Sequence, residues 1–223
     1  MREIEASRIA KTARLEAGDV VLFAYPRTAS PRGLGWRAIE HVQRGLLADL
    51  GLKGPAVGEA ARYTHVGMAL HGGAAFAEMT TPCAGIGDWR RVPKGTVVLA
   101  RRAAVWPEWS HGLMDAPWEK RLGAANLAKQ DAFADTPYPY LELLSYWVWH
   151  LWIGKLWLGR RFRELFADDE RDVCSGSVWR WLWTAGLNRD LEGTTDAMPE
   201  AWYPARLAAD TVRFQDVEKF TVK

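Results

Sequence analysis

Three residues of this chain, Cys174, His65 and Glu78, combine side-chain types and settings that suit covalent catalysis. Cys174 stands in RDVCSGSVWRWLW, where the charged run at 167–172 gives way to an apolar helical stretch. A cysteine in the first turn of a helix has unpaired backbone N–H groups and the positive end of the helix dipole beside it. Such a setting favours the thiolate, the nucleophilic form of the side chain. Position alone does not decide the matter, because a free cysteine is more often a small buried apolar residue. The other cysteine, Cys83, follows Pro82 and precedes Ala84-Gly85, which reads as a loop with no helix start.

His65 supplies a base. It lies in YTHVGMAL, residues 63–70, a strand pattern in which a histidine has no packing purpose. Gly72-Gly73 just beyond it is a hairpin signal. A turn there pairs Leu70 with Ala75 and Gly67 with Glu78, so Glu78 becomes the diagonal neighbour of His65 on one sheet face. Diagonal partners lie roughly 7–8 Å apart, within reach of long side chains. A carboxylate so placed can hold the tautomer of an imidazole and stabilise its cation while the other ring nitrogen meets a thiol. Gly67 between them leaves the face uncrowded. Alone, the polar face of an edge hairpin accounts for His65 and Glu78. With Cys174 they make a nucleophile, a base and an orienting acid.

The elements that must position these residues follow from the pattern along the chain. A strand is expected at 19–24, preceded by Gly18 and stopped by Pro26, then an amphipathic helix over 33–50 closed by Gly51. Short strands follow at 64–70, 75–79, 86–92 and 96–101. Beyond Pro117 the pattern turns helical, over 118–133, 141–166 and 174–185, with a short helix and a closing strand in the tail. The first segment, MREIEASRIAKTARLEAGD, reads as helical. The expectation is a single α+β domain over 1–223, an antiparallel sheet with helices segregated around it and a Trp-rich helical insertion at about 140–168.

Composition narrows the function classes. The chain has 223 residues, 48% hydrophobic and 25% charged, which excludes a disordered chain, a collagen-like repeat and a disulfide scaffold. Basic and acidic residues number 29 and 27, too near balance to argue for nucleic acid. The basic run at 159–163 is followed by Glu164 and Asp168-Asp169-Glu170, and reads as a solvated helix end. His41, His71 and His111 have no metal-ligand spacing, so no metal and no cofactor are expected.

GDVVLF, THVGMAL, FAEM and CSGSVW, in that order, resemble the circularly permuted branch of the NlpC-type papain-like cysteine peptidases, the YiiX-like proteins. The resemblance spans about 18–209 and implies a permuted papain-like fold, a small antiparallel sheet or half-barrel against helices. It implies Cys174 as nucleophile, His65 as base and Glu78 as third triad member. It also implies Tyr138 of Thr136-Pro137-Tyr138, with Ser175 beside the nucleophile, as substrate-contacting residues. Pro139 stands where the family usually has Asp, and Val173 and Gly176 replace an aromatic before the cysteine and an acid after it. The function so implied is a thiol hydrolase cleaving an amide bond, of a peptidoglycan-type peptide or isopeptide, through an acyl-enzyme. A lipid acyl hydrolase or acyltransferase, as in the related lecithin:retinol acyltransferase group, is the first alternative. A non-catalytic binding module that kept the fold is the second.

Tryptophan is the unusual component, with 13 in the chain. Those at 147, 149, 152 and 157, and those at 179, 181 and 183, cannot all face one way on a helix. They read as core plus partner interface, as an acyl or sugar groove, or as a membrane-surface contact, since tryptophan favours lipid interfaces. The stretch 141–158 carries Glu142, His150 and Lys155, which argues against a membrane span. The N-terminal segment lacks the apolar core of a secretory signal. The expected location is therefore the cytoplasm, or the cell envelope by a non-Sec route.

Overall fold

The computed structural model describes residues 1–28, 30–49, 54–80, 83–103, 117–136, 174–187, 204–211 and 213–223. Its strands are β1 (Arg2–Ile4), β2 (Val20–Ala24), β3 (His65–Ala69), β4 (Phe76–Met79), β5 (Ala84–Gly87), β6 (Val97–Ala103) and β7 (Phe214–Val222). Its helices are α1 (Ile9–Thr12), α2 (Pro31–Asp49), α3 (Pro55–Ala60), α4 (Pro117–Phe133), α5 (Cys174–Thr184) and α6 (Pro204–Ala209). The strands form one open seven-stranded sheet in the order β1-β7-β6-β2-β3-β4-β5. Every pairing is antiparallel except β1 with β7. The protein is thus mixed α+β, with a mostly antiparallel sheet.

Alternation along the strands separates two apolar layers. Val20, Leu22, Val66, Met68, Ala77 and Met79 belong to one cluster, which also takes Ala124, Ala128, Val178 and Leu182 from α4 and α5. Val21, Phe23, Ala69, Phe76, Val98 and Ala100 belong to the other, closed by Ile4, Ile9, Trp89 and Phe220. The sheet is therefore covered on both faces, as the unbroken burial of β2 and β3 requires.

Two sequence expectations need correction. The N-terminal segment is not one helix: Arg2–Ile4 is a strand lying parallel to β7, and only short helical turns follow it. Burial of Ile4 against Phe220 and Val222 outweighs the local helical character there. The strand expected over 86–92 begins and ends earlier, at Ala84–Gly87, and a 3₁₀ turn at Trp89–Arg91 follows, capped by the Asp88 side chain on the Arg90 N–H. Gly87 permits this: a Cβ there would stand 2.2 Å from the Phe76 ring.

The tryptophans of α5 divide as helix geometry demands. Trp179 and Trp181 are buried and Trp183 is 43% exposed. The segment at about 140–168, with its four tryptophans, lies outside the described residues, as do the basic run at 159–163 and His111. Among the described residues no helix is long and apolar enough to cross a membrane.

Candidate active site

Position of the site begins with the Gly18-Asp19 pair ahead of β2. Gly18 has a φ of 84°, and a Cβ on it would lie 2.3 Å from the Arg121 carbonyl oxygen. Asp19 is fully buried and takes a bidentate pair from Arg102 on β6, at 2.8 and 2.9 Å, plus the Glu16 N–H. This motif anchors the start of the central strand; it offers no free group for chemistry.

From β2 the register runs outward to the candidate triad. Phe23 pairs with His65, and Gly67 with Glu78. The turn between β3 and β4 places Gly72 and Gly73 at positive φ, and the Leu70 N–H meets the Ala75 carbonyl. Gly67 has a distinct role: a Cβ there would sit 2.7 Å from the Ala77 carbonyl oxygen and 3.5 Å from the Glu78 Cβ. Glycine keeps the path from His65 to Glu78 open. His65 Nε2 lies 2.6 Å from Glu78 Oε2, with both side chains largely shielded from water.

Cys174 is the first residue of α5, which packs on β3, β4 and α4, and is 9% exposed. His65 opens β3, the strand on which α5 packs. Cys174 lies close enough to the imidazole to act on its titration, and it helps to raise the His65 pKa. With Nε2 engaged by Glu78, Nδ1 is the nitrogen left to meet sulfur. The structure thus joins His65 and Glu78 directly, with Cys174 near enough to influence the imidazole.

Electrostatics favour a cation at the centre. Burial by itself lowers the His65 pKa, but hydrogen bonds to Cys174 and Glu78, and the charges of both, outweigh it and raise the pKa to about 10. His65 is then an imidazolium at neutral pH, donating Nε2–H to the carboxylate. The linkage to stability has a definite sign. A pKa raised by folding stabilises the native state fully below the ordinary value of 6.5, and that contribution drains away as pH rises toward about 10. Glu78→Gln removes one source of the shift. Thermal melts should therefore show the wild type losing more of its unfolding midpoint between pH 6.5 and 10 than Glu78→Gln does. Identical slopes in the two proteins would show that the carboxylate does not hold the proton.

Two clamps set the site from a distance, and neither left a signal in the sequence pattern. Gln43 of α2 is fully buried; its amide donates to the Ala61 and Tyr63 carbonyls and accepts from the Ala205 N–H. It ties α2, the approach to β3 and α6 into one unit. Arg101 of β6 caps α6, donating to the carbonyls of Leu207, Ala208, Asp210 and Phe214 at 2.7–3.0 Å. A bulge in the β6–β7 pairing falls between Ala100 and Arg101.

Beside the triad opens a cavity of about 530 Å³, lined by Tyr25, Phe76, Glu78, Cys83, Phe133 and Asp135 among others. Cys83 gives its thiol to Asp135 Oδ1 at 3.8 Å, away from any helix start. Tyr138 lies outside the described residues, and Ser175 is placed only as the residue after Cys174 on α5. His41 and His71 are exposed, on α2 and in the β3–β4 turn. Among the described residues no group of three or more His, Cys, Asp and Glu is arranged to hold a metal ion. No family model, curated protein or solved structure matches the chain.

Proposed function

We propose that this protein is a thiol hydrolase that cleaves an amide bond through Cys174, His65 and Glu78, on a permuted papain-like fold. The observation that carries the reading is the imidazole held 2.6 Å from a carboxylate, with the cysteine that opens a helix near enough to raise its pKa. In this scheme Cys174 and His65 stand as a thiolate–imidazolium pair before the substrate arrives, and the thiolate attacks the substrate carbonyl carbon. The electron pair displaced from the C=O forms an oxyanion, which the backbone N–H groups opening α5 stabilise. Collapse of that intermediate breaks the C–N bond, and His65 returns its proton to the leaving amine. Water, deprotonated by His65, then hydrolyses the thioester and frees Cys174. Glu78 keeps the imidazole oriented and balances its charge throughout. The substrate is a peptide or isopeptide, and peptidoglycan-type peptides are the class that the sequence resemblance favours.

The two cysteines provide an internal control. Cys83 is the more exposed thiol, so exposure alone makes it the faster to alkylate. Iodoacetamide at neutral pH should instead modify Cys174 at least about tenfold faster, because thiolate character governs the rate. Peptide mapping over time reads both sites at once. His65→Ala should erase the preference. Equal rates in the folded wild type would remove Cys174 as the nucleophile.

A further inference from the structure

Tyr25, the residue directly after β2, lies against the triad without being part of it. Its ring stacks on the His65 imidazole, with centroids 6.3 Å apart and planes 29° apart. On its other flank it stacks on Trp36 of α2 at 4.5 Å. The phenol is thus wedged between a tryptophan and the candidate base, while Phe23, the register partner of His65, supports it at 6.1 Å. It also lines the cavity that Glu78 lines. The residue is half-buried, and among the described residues no group hydrogen-bonds its hydroxyl. A half-buried hydroxyl with no protein partner, on a residue that lines a cavity, is free to donate to a ligand atom.

The charge pattern specifies what kind of atom. Burial first, and then the charges of Glu78 and Cys174, push the Tyr25 hydroxyl pKa well above its ordinary value. The phenol therefore remains a neutral donor at any pH at which the site is charged. Neighbouring anions disfavour a phenolate, so the hydroxyl keeps its proton and remains a donor. A substrate carbonyl attacked at Cys174 develops negative charge on oxygen, and such an atom needs a donor of this type.

We propose that Tyr25 donates a hydrogen bond to the acyl oxygen of the substrate attacked by Cys174, acting with the backbone N–H groups at the start of α5, and that Trp36 holds the ring for this role. The inference rests on the thiol-hydrolase reading. Tyr25→Phe is the direct test, because it keeps the ring stack on His65 and Trp36 and removes only the hydroxyl. Two reactions of the full chain separate the outcomes. Iodoacetamide alkylates a thiolate by displacement at carbon with no oxyanion, so its rate at Cys174 should stay within about twofold of wild type. Acylation of Cys174 by p-nitrophenyl acetate passes through an oxyanion, and its nitrophenolate release should slow by about a hundredfold, the usual cost of losing one such donor.

Acylation that depends on His65 but is intact in Tyr25→Phe overturns the proposal alone. Equal slowing of both reactions also overturns it, because the hydroxyl would then act on the thiol–imidazole pair instead. Wild-type protein showing no His65-dependent acylation overturns the thiol-hydrolase reading and this inference with it.

Discussion

Cys174→Ala should lose hydrolysis of any working amide or ester substrate by about 10⁴-fold or more, while its melting temperature changes little. The asymmetry comes from where the sulfur sits. Cys174 opens α5 as a buried member of the larger apolar cluster, so removing one sulfur atom leaves only a small defect there. The same deletion removes the attacking atom, and no other described thiol can replace it, because Cys83 is directed to Asp135. Turnover under saturating substrate, compared with a melt of the same preparation, reads both effects. Retained turnover would place the chemistry elsewhere.

The second large effect belongs to His65. His65→Ala should cost about 10³- to 10⁴-fold in turnover, and the His65→Ala/Cys174→Ala double variant should be no worse than either single one. Residues acting as a unit fail together: without the imidazole the thiol has no proton acceptor, and without the thiol the imidazole has nothing to activate. His65→Ala also leaves Glu78 shielded and without its partner at 2.6 Å. Some loss of stability therefore accompanies the loss of rate, and Glu78→Gln in the His65→Ala background should recover part of it. Additive losses in the double variant, measured as kcat/KM, would mean that the two side chains act independently.

Much of the candidate site was legible because it depends on short-range rules. The Gly72-Gly73 turn and the two-residue period of the strands determine that Gly67 faces Glu78, and the diagonal contact to His65 follows. The start of α5 at Cys174 was legible from the passage of a charged run into an apolar one. What escaped is non-local. β1 is three residues long and its partner lies at the other end of the chain, so no window of sequence reveals it. Gln43 looks like a surface residue of an amphipathic helix until Ala61, Tyr63 and Ala205 are known to surround it. Asp19 reads as part of a strand-start motif; its pairing with Arg102 depends on β2 lying beside β6. Tyr25 escaped for a similar reason, since its stack needs α2 to bring Trp36 over the end of β2.

The central claim is that Cys174 becomes the acylated atom, and intact-mass measurement tests it most directly. Wild-type protein mixed with p-nitrophenyl acetate and quenched within the first turnover should gain one acetyl group, located by peptide mapping on Cys174 and absent from Cys174→Ala. The adduct should fail to form at a comparable rate in His65→Ala. An acetyl group that maps to Cys83, or to lysines at the same level in all three proteins, would contradict the account.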